Sequence, residues 1–267
     1  MKLHYEKSDG IATITIDNPP VNVFTPTLHR DMHDLLAEFM ADDEVRVGIL
    51  TGAGTRAFSA GDDVKSPRPE RTQAELVKRH FGRRSADESL EYPGWEHEVL
   101  RLAMQRFKPI VGAVNGVAVG QGMIYLLQLT DIRVASSTAR FGLPEIAYGM
   151  GGAGGSTRLM RQIPQIAAMW LALTGEPFDA ETALRYNLVN EVVAPGNLMS
   201  RAREMAALIA RHPPLAVRTE MEASYRGQDL SRDQALSYVS NLYRLQRVAF
   251  DTRAALSKPD GGSADHV

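Results

Sequence analysis

The chain has 267 residues, of which 44% are hydrophobic and 23% charged, and its formal net charge is −2. Such a chain can bury a substantial core, and its near-neutral balance, with no basic run among aromatics, gives no reason to expect a nucleic-acid partner. With no cysteine it has no disulfide, thiolate metal site or cysteine nucleophile; it lacks both a secretory signal pattern and an apolar run of membrane-spanning length, so no membrane partner is expected and the expected compartment is the cytoplasm.

In chain order, residues 3–7 and 11–17 flank Ser8-Asp9-Gly10 and read as a hairpin. Within it Ala12, Ile14 and Ile16 alternate with Thr13 and Thr15, as in a half-buried strand. Thr25-Pro26 marks a helix start, a capping residue followed by proline at the first helical position. Leu28, Met32, Leu35, Leu36, Phe39 and Met40 follow at the spacing of one buried stripe. A strand is expected at residues 45–50. Residues 66–87, polar and charged, read as a solvated loop or flap outside the core. Residues 98–107 look helical and lead into a strand at 110–114. A third passage from strand to glycines runs from Ala139–Phe141 to the glycines at 149–155, so strand, glycine turn and helix recur three times, a layered β-β-α repeat. From Pro164 the pattern is helical, with Asp179 capping residues 180–186 and Asn187 just past that helix. A further helix near 198–211 stops at His212-Pro213-Pro214.

Two segments carry the chemistry. In VRVGILTGAGTRAFSAGDD (residues 45–63) and KPIVGAVNGVAVGQGMIYLLQLTD (residues 108–131), a valine- and isoleucine-rich run ends in glycines. In the second, the glycines open directly onto an apolar helix. A buried strand that delivers backbone to a glycine-lined helix start leaves N–H groups facing a cleft, where they attract negative charge.

Five ordered segments resemble the crotonase superfamily, the enoyl-CoA hydratase/isomerase family. They are GAGTRAFSAGDDVK (52–65), KPIVGAVNGVAVGQG (108–122), DIRVAS (131–136), ARFGLPEIAYGMGGAGGSTRL (139–159) and LTGEPFDAETALRYNLVNEVV (173–193). The resemblance implies an α/β fold: a crotonase-like spiral of β-β-α repeats in residues 1–195 and a C-terminal helical trimerisation region in 196–258; the end of the chain, 259–267, with Gly261-Gly262-Ser263, reads by itself as a disordered tail. It implies an acyl-CoA substrate, an enolate held in an oxyanion hole, and a homotrimer or hexamer. No cofactor is implied, since coenzyme A enters as part of the substrate, and no metal.

By position, the family's two hole donors are the N–H of Asp62, after Ala60-Gly61, and the N–H of Gln121, within Gly120-Gln121-Gly122. Family hydratases use two glutamates. Here Ile124 stands at the first position, and Glu145, in Phe141-Gly142-Leu143-Pro144-Glu145, keeps the second. A carboxyl in an apolar cleft suits acid/base work near neutrality. Hydration or dehydration of an enoyl-CoA is the first expectation. A single-glutamate double-bond isomerase and a catalytically altered acyl-CoA-binding relative are the alternatives. Trp95 and His97, with Glu96 and Glu98 beside them, fall where the family lines its pocket, as does Gly152. The carboxylates of Glu96, Glu98 and Asp62 are read as structural or solvent-exposed ahead of catalytic. Arg56 and Lys65, with Arg68, are placed toward the coenzyme A moiety. The family's aromatic-plus-basic C-terminal signature is poorly kept in residues 247–258.

Other motifs carry less. Residues 52–57 fit a dinucleotide fingerprint, but Ser59, Gly61, Pro67 and Pro69 follow where a helix is required. GGAGGST (151–157) lacks the lysine of a phosphate loop, and no G-x-S-x-G surrounds Ser59. His29 and His33, four apart, have no third ligand in view and read as a solvated helix face.

Overall fold

The computed structural model describes residues 2–66, 70–81 and 94–249. The first hairpin forms as expected: β1 (Lys2–Ser8) pairs antiparallel with β2 (Ile11–Asp17) across Asp9 and Gly10. Both turn residues have positive φ, 55° and 75°, the geometry that matches strand twist in a two-residue turn. Helix α1 (Pro26–Ala41) starts where Thr25 accepts a hydrogen bond from the Leu28 N–H at 3.2 Å. At its other end the Lys108 ammonium donates to the Phe39 and Asp42 carbonyls at 2.8 and 2.7 Å, closing orphan acceptors of the last turn.

The remaining elements in order are β3 (Val47–Gly52), β4 (Ala57–Ser59), α2 (Gln73–Phe81), α3 (Trp95–Ala103), β5 (Ile110–Val114), β6 (Val117–Val119), α4 (Gln121–Leu129), β7 (Ile132–Ser136) and β8 (Arg140–Gly142). Short helices α5 (Ala153–Ser156) and α6 (Leu159–Gln162), then α7 (Gln165–Thr174), β9 (Phe178–Asp179), α8 (Ala180–Arg185), β10 (Glu191–Val193), α9 (Leu198–Ala210), α10 (Pro214–Gly227) and α11 (Arg232–Ala249) complete the chain.

Successive strands divide between two sheets. One has the order β1-β2-β3-β5-β7-β10 and the other β4-β6-β8-β9. Each turn of the chain thus lays one strand in parallel on the large sheet and the next on the small one, the spiral of β-β-α repeats that the sequence implied. Side chains alternate across the large sheet with a period of two. Val47, Ile49, Val111, Ala113 and Val134 face α9, which covers them with Leu198, Ala202, Met205 and Ala206. Leu50, Ile110 and Val114 face the opposite side, against the stripe of α1 and the apolar residues of α4.

Two sequence expectations change here. Within residues 66–87, expected to be loop, residues 73–81 form α2. Its start is a capping box: Glu75 accepts from the Thr72 N–H at 2.7 Å, and Thr72 Oγ1 accepts from the Glu75 N–H at 3.3 Å. The pattern T-x-x-E was present but the high charge of the segment masked it. The helix expected at 98–107 lies earlier, at Trp95–Ala103. Arg68, the rest of the expected flap at 82–87, and the tail at 259–267 lie outside the described residues.

Candidate active site

The passage from β3 to β4, which leads into the first glycine turn, is held by asparagines whose side chains replace missing backbone partners. Asn22 Nδ2 donates to the Ala53 and Ala57 carbonyls at 3.1 and 2.8 Å. Asn115, at the end of β5, accepts from the Gly52 N–H at 3.2 Å and donates to the Gly54 and Ala57 carbonyls at 2.8 and 3.0 Å. Together they fix the β3–β4 passage. Ser59, fully buried, accepts the Gly61 N–H on its Oγ at 3.2 Å. Phe24 then brackets the turn: its N–H donates to Gly61 O at 2.8 Å and its carbonyl accepts from the Asp63 N–H at 2.8 Å.

This leaves the Asp62 N–H without an acceptor among the described residues. The Gln121 N–H, first in α4, has none either, as the helix geometry dictates. The two turns meet. Gly61 has φ +91°, and a Cβ there would sit 3.2 Å from the Gln121 nitrogen and 3.0 Å from Val119 O. Gly120 takes φ +57°, so Gln121 can enter the helix with ordinary angles and carry a side chain. Gly122 packs on the other turn, where a Cβ would come within 2.7 Å of Ser59 Cβ. Ala60 is half-buried beside them.

Glu145 arrives from the third repeat, on a 3₁₀ turn at Pro144–Tyr148 directly after β8. A Cβ on Gly120 would lie 3.7 Å from Glu145 Oε1, so the carboxyl reaches the junction of the two turns. Among the described residues, Glu145 Oε2 is buried without a hydrogen-bond partner, and so is Gln121 Nε2. Burial raises the Glu145 pKa above the ordinary 4.5; a hydrogen bond from its own N–H opposes this, and the charge of Asp62 adds to it.

The other expected residues are more dispersed. Ile124 is half-buried against the core, one apolar residue where a second carboxylate was sought. Trp95 has its Nε1 buried without a partner among the described residues and its ring 4.9 Å from His33; His97, two residues on, is exposed. Glu96 is buried and caps its own helix, accepting the Gly94 N–H at 2.6 Å, while Glu98 is half-buried and pairs with Arg101 at 3.7 Å. Gly152 is exposed, with φ +116°, and starts α5. Arg56 and Lys65 are exposed on the loops flanking β4 and the Asp62 turn.

One expectation is overturned. His29 is not on a solvated face: it is only 4% exposed, its Nε2 3.1 Å from Asp62 Oδ1 and its Nδ1 2.6 Å from the Tyr125 hydroxyl. The signal was available, since residue 29 lies three before Met32 and seven before Leu36, on the buried stripe itself. Tyr125 was likewise missed, although it lies one helical turn after Gln121.

A β-β-α spiral that brings two acceptorless N–H groups and one shielded carboxyl to a point defines a crotonase-fold protein. The comparisons narrow this: the model of the enoyl-CoA hydratase/isomerase family matches residues 6–246, and the chain belongs to that family. It is 34% identical to the (E)-benzylidenesuccinyl-CoA hydratase of Thauera aromatica, over 95% of this chain and 93% of that protein. It is 35% identical to the short-chain-enoyl-CoA hydratase of Clostridium acetobutylicum, over 89% and 86%, and 32% identical to the carnitinyl-CoA dehydratase of Escherichia coli K12, over 89% and 85%. Among solved structures, the enoyl-CoA hydratase of Bacillus anthracis superposes with a TM-score of 0.82 at 27% identity, covering 96% of this chain and 94% of that one. The chain is an enzyme of the hydratase (lyase) type. No helix among the described residues is long and apolar enough to cross a membrane.

Proposed function

We propose that the enzyme adds water to the double bond of an enoyl-CoA, and removes it in reverse, with the thioester carbonyl held by the Asp62 and Gln121 N–H groups and the α-proton carried by Glu145. The observation that supports this is the meeting of both acceptorless N–H groups and the Glu145 carboxyl around Gly61 and Gly120. Charge that builds on the carbonyl oxygen as the enolate forms falls between two preoriented dipoles, each donor being worth about 3–4 kcal/mol in the transition state. Glu145 is suited to exchange a proton with the α-carbon because burial lifts its pKa toward the working pH. Of the exposed residues on the flanking loops, Arg56 is proposed to lie along the pantetheine and adenine of coenzyme A, and Lys65 to meet its phosphates. The assembly is proposed to be a homotrimer or a dimer of trimers. Its support is that α10 and α11 bury none of their described residues and expose Leu236, Val239, Tyr243, Leu245 and Val248.

Ile124 favours a second reading. One carboxyl is enough to move a proton between two carbons, which is double-bond isomerisation. A panel of 2-enoyl-, 3-enoyl- and 3-hydroxyacyl-CoA thioesters, incubated in heavy-oxygen water and read by mass spectrometry, separates the two. Uptake of the label at the β-carbon is the expected result; a shifted double bond without label assigns the isomerase.

A further inference from the structure

Behind the Asp62 turn runs a chain of buried polar side chains that the proposed chemistry leaves unused. His29 bridges Asp62 Oδ1 and the Tyr125 hydroxyl, and its ring is stacked on Phe24 with centroids 5.1 Å apart. Tyr125 is fully buried and meets the Phe24 and His29 rings edge-on. With Asp62 a carboxylate, an acceptor only, the directions follow: the His29 Nε2–H donates to Asp62, and the Tyr125 O–H donates to Nδ1. Asp62 Oδ2 has no protein partner among the described residues, and the side chain keeps 25% of its surface exposed.

Packing does not require this arrangement. Hydrocarbon would fill the space between α1 and α4 without the desolvation of an imidazole and a phenol. A carboxylate on the residue whose N–H holds an enolate also opposes that charge, and the imidazole N–H offsets the opposition.

We infer that Asp62 is the second carboxylate of this site, the base for the attacking water, and that His29 and Tyr125 are positioning residues that aim it. The inference rests on the hydration reading above. As water attacks the β-carbon, its oxygen forms the new C–O bond and its proton passes to Asp62 Oδ2. The π-electron pair of the double bond moves into the enolate, and the Glu145 carboxyl then protonates the α-carbon. Asp62 is left protonated and Glu145 ionised, and transfer of that proton through solvent restores the starting state. The two carboxyls are near enough that the charge of Asp62 is felt at Glu145. The side chain at 62 thus takes the part that Ile124 cannot.

The test compares two rates in wild type and Asp62→Asn: incorporation of heavy oxygen into crotonyl-CoA, and exchange of the α-proton of butyryl-CoA in deuterium oxide. Exchange needs the N–H pair and Glu145 but no attacking water. The ratio of hydration to exchange is expected to fall about 100-fold or more, the scale of a general base. The Glu145-linked limb of the exchange pH profile should also move to lower pH, since a charge that raises its pKa is gone. Tyr125→Phe, which keeps the ring in place, should lower the same ratio by a smaller factor. If both rates fall together in Asp62→Asn, or if neither falls, the inference is overturned while the hydration reading stands. Wild type that exchanges the butyryl-CoA proton but never incorporates label overturns the hydration reading and the inference with it.

Discussion

Helices α1 and α9 pack on opposite faces of the same six-stranded sheet and differ in what they bury. α9 covers its face with Leu198, Ala202, Met205 and Ala206, all hydrocarbon or thioether. α1 uses Leu28, Met32, Leu35, Leu36 and Phe39 in the same way but sets His29 into the stripe. Excluding water needs no imidazole. A polar ring persists in such a stripe when both nitrogens are satisfied, and the partners of His29 lead from Tyr125 to Asp62, the residue whose own backbone N–H is a candidate substrate donor. The same packing rule built both faces; of the two helices, α1, toward the glycine turns, is the one that buries an imidazole in its stripe.

The largest effect that would sharpen this contrast comes from Glu145 on the chemical side. Glu145→Gln should lower kcat/KM for water addition by about 10²–10⁴-fold. Calorimetric binding of butyryl-CoA should change by only a few-fold, since the N–H pair is untouched. Next come paired truncations, one on each face. Leu36→Ala on α1 and Met205→Ala on α9 should each cost about 2–5 kcal/mol in urea unfolding, because both remove buried apolar volume. Per folded molecule, both should turn over like wild type. A kinetic loss in Met205→Ala that exceeds its unfolded fraction would break the division between the two faces.

A smaller effect separates the polar chain from the packing around it. His29→Leu alone takes from the buried Tyr125 hydroxyl the acceptor of its proton and should cost about 1–3 kcal/mol. His29→Leu combined with Tyr125→Phe removes both ends of that hydrogen bond and should return stability to within about 1 kcal/mol of wild type. Water addition should stay impaired in the double variant. Recovery of stability and rate together would make the chain a structural tie between α1 and α4.

Much of this was legible in the sequence because it depends on local rules. Alternation in β2, the Thr25-Pro26 start and the Asp179 cap each recorded a backbone demand within a few residues, and each formed. The glycine turns were legible for the same reason, since Gly61 and Gly120 answer to positive φ and to close approach. What escaped was the product of distant residues meeting. Tyr125 lies 96 positions from His29, and Asp62 lies 33 from it, so no local pattern couples them. The capping box of α2 was local, but charge density concealed it. His29 was in plain periodic register, and its residue type argued for solvent against its position.

The smallest effect is a stability difference that depends on pH. Glu145 has its pKa raised in the fold, with burial as the main cause. The folded state therefore holds this proton more tightly than the unfolded chain does. The resulting stability is fully present below the ordinary value of 4.5 and is lost as the pH rises through the folded value. Glu145→Gln cannot ionise, so it escapes that loss. Its Tm relative to wild type should rise steadily as the pH is taken from 4 toward neutrality, about level at the acid end. In an Asp62→Asn background the same gap should narrow, because the aspartate's charge is one of the causes that raise the pKa. A gap insensitive to residue 62 would place the two carboxyls too far apart to share one substrate, and a gap that shrinks with rising pH would mean that Glu145 is stabilised as the anion.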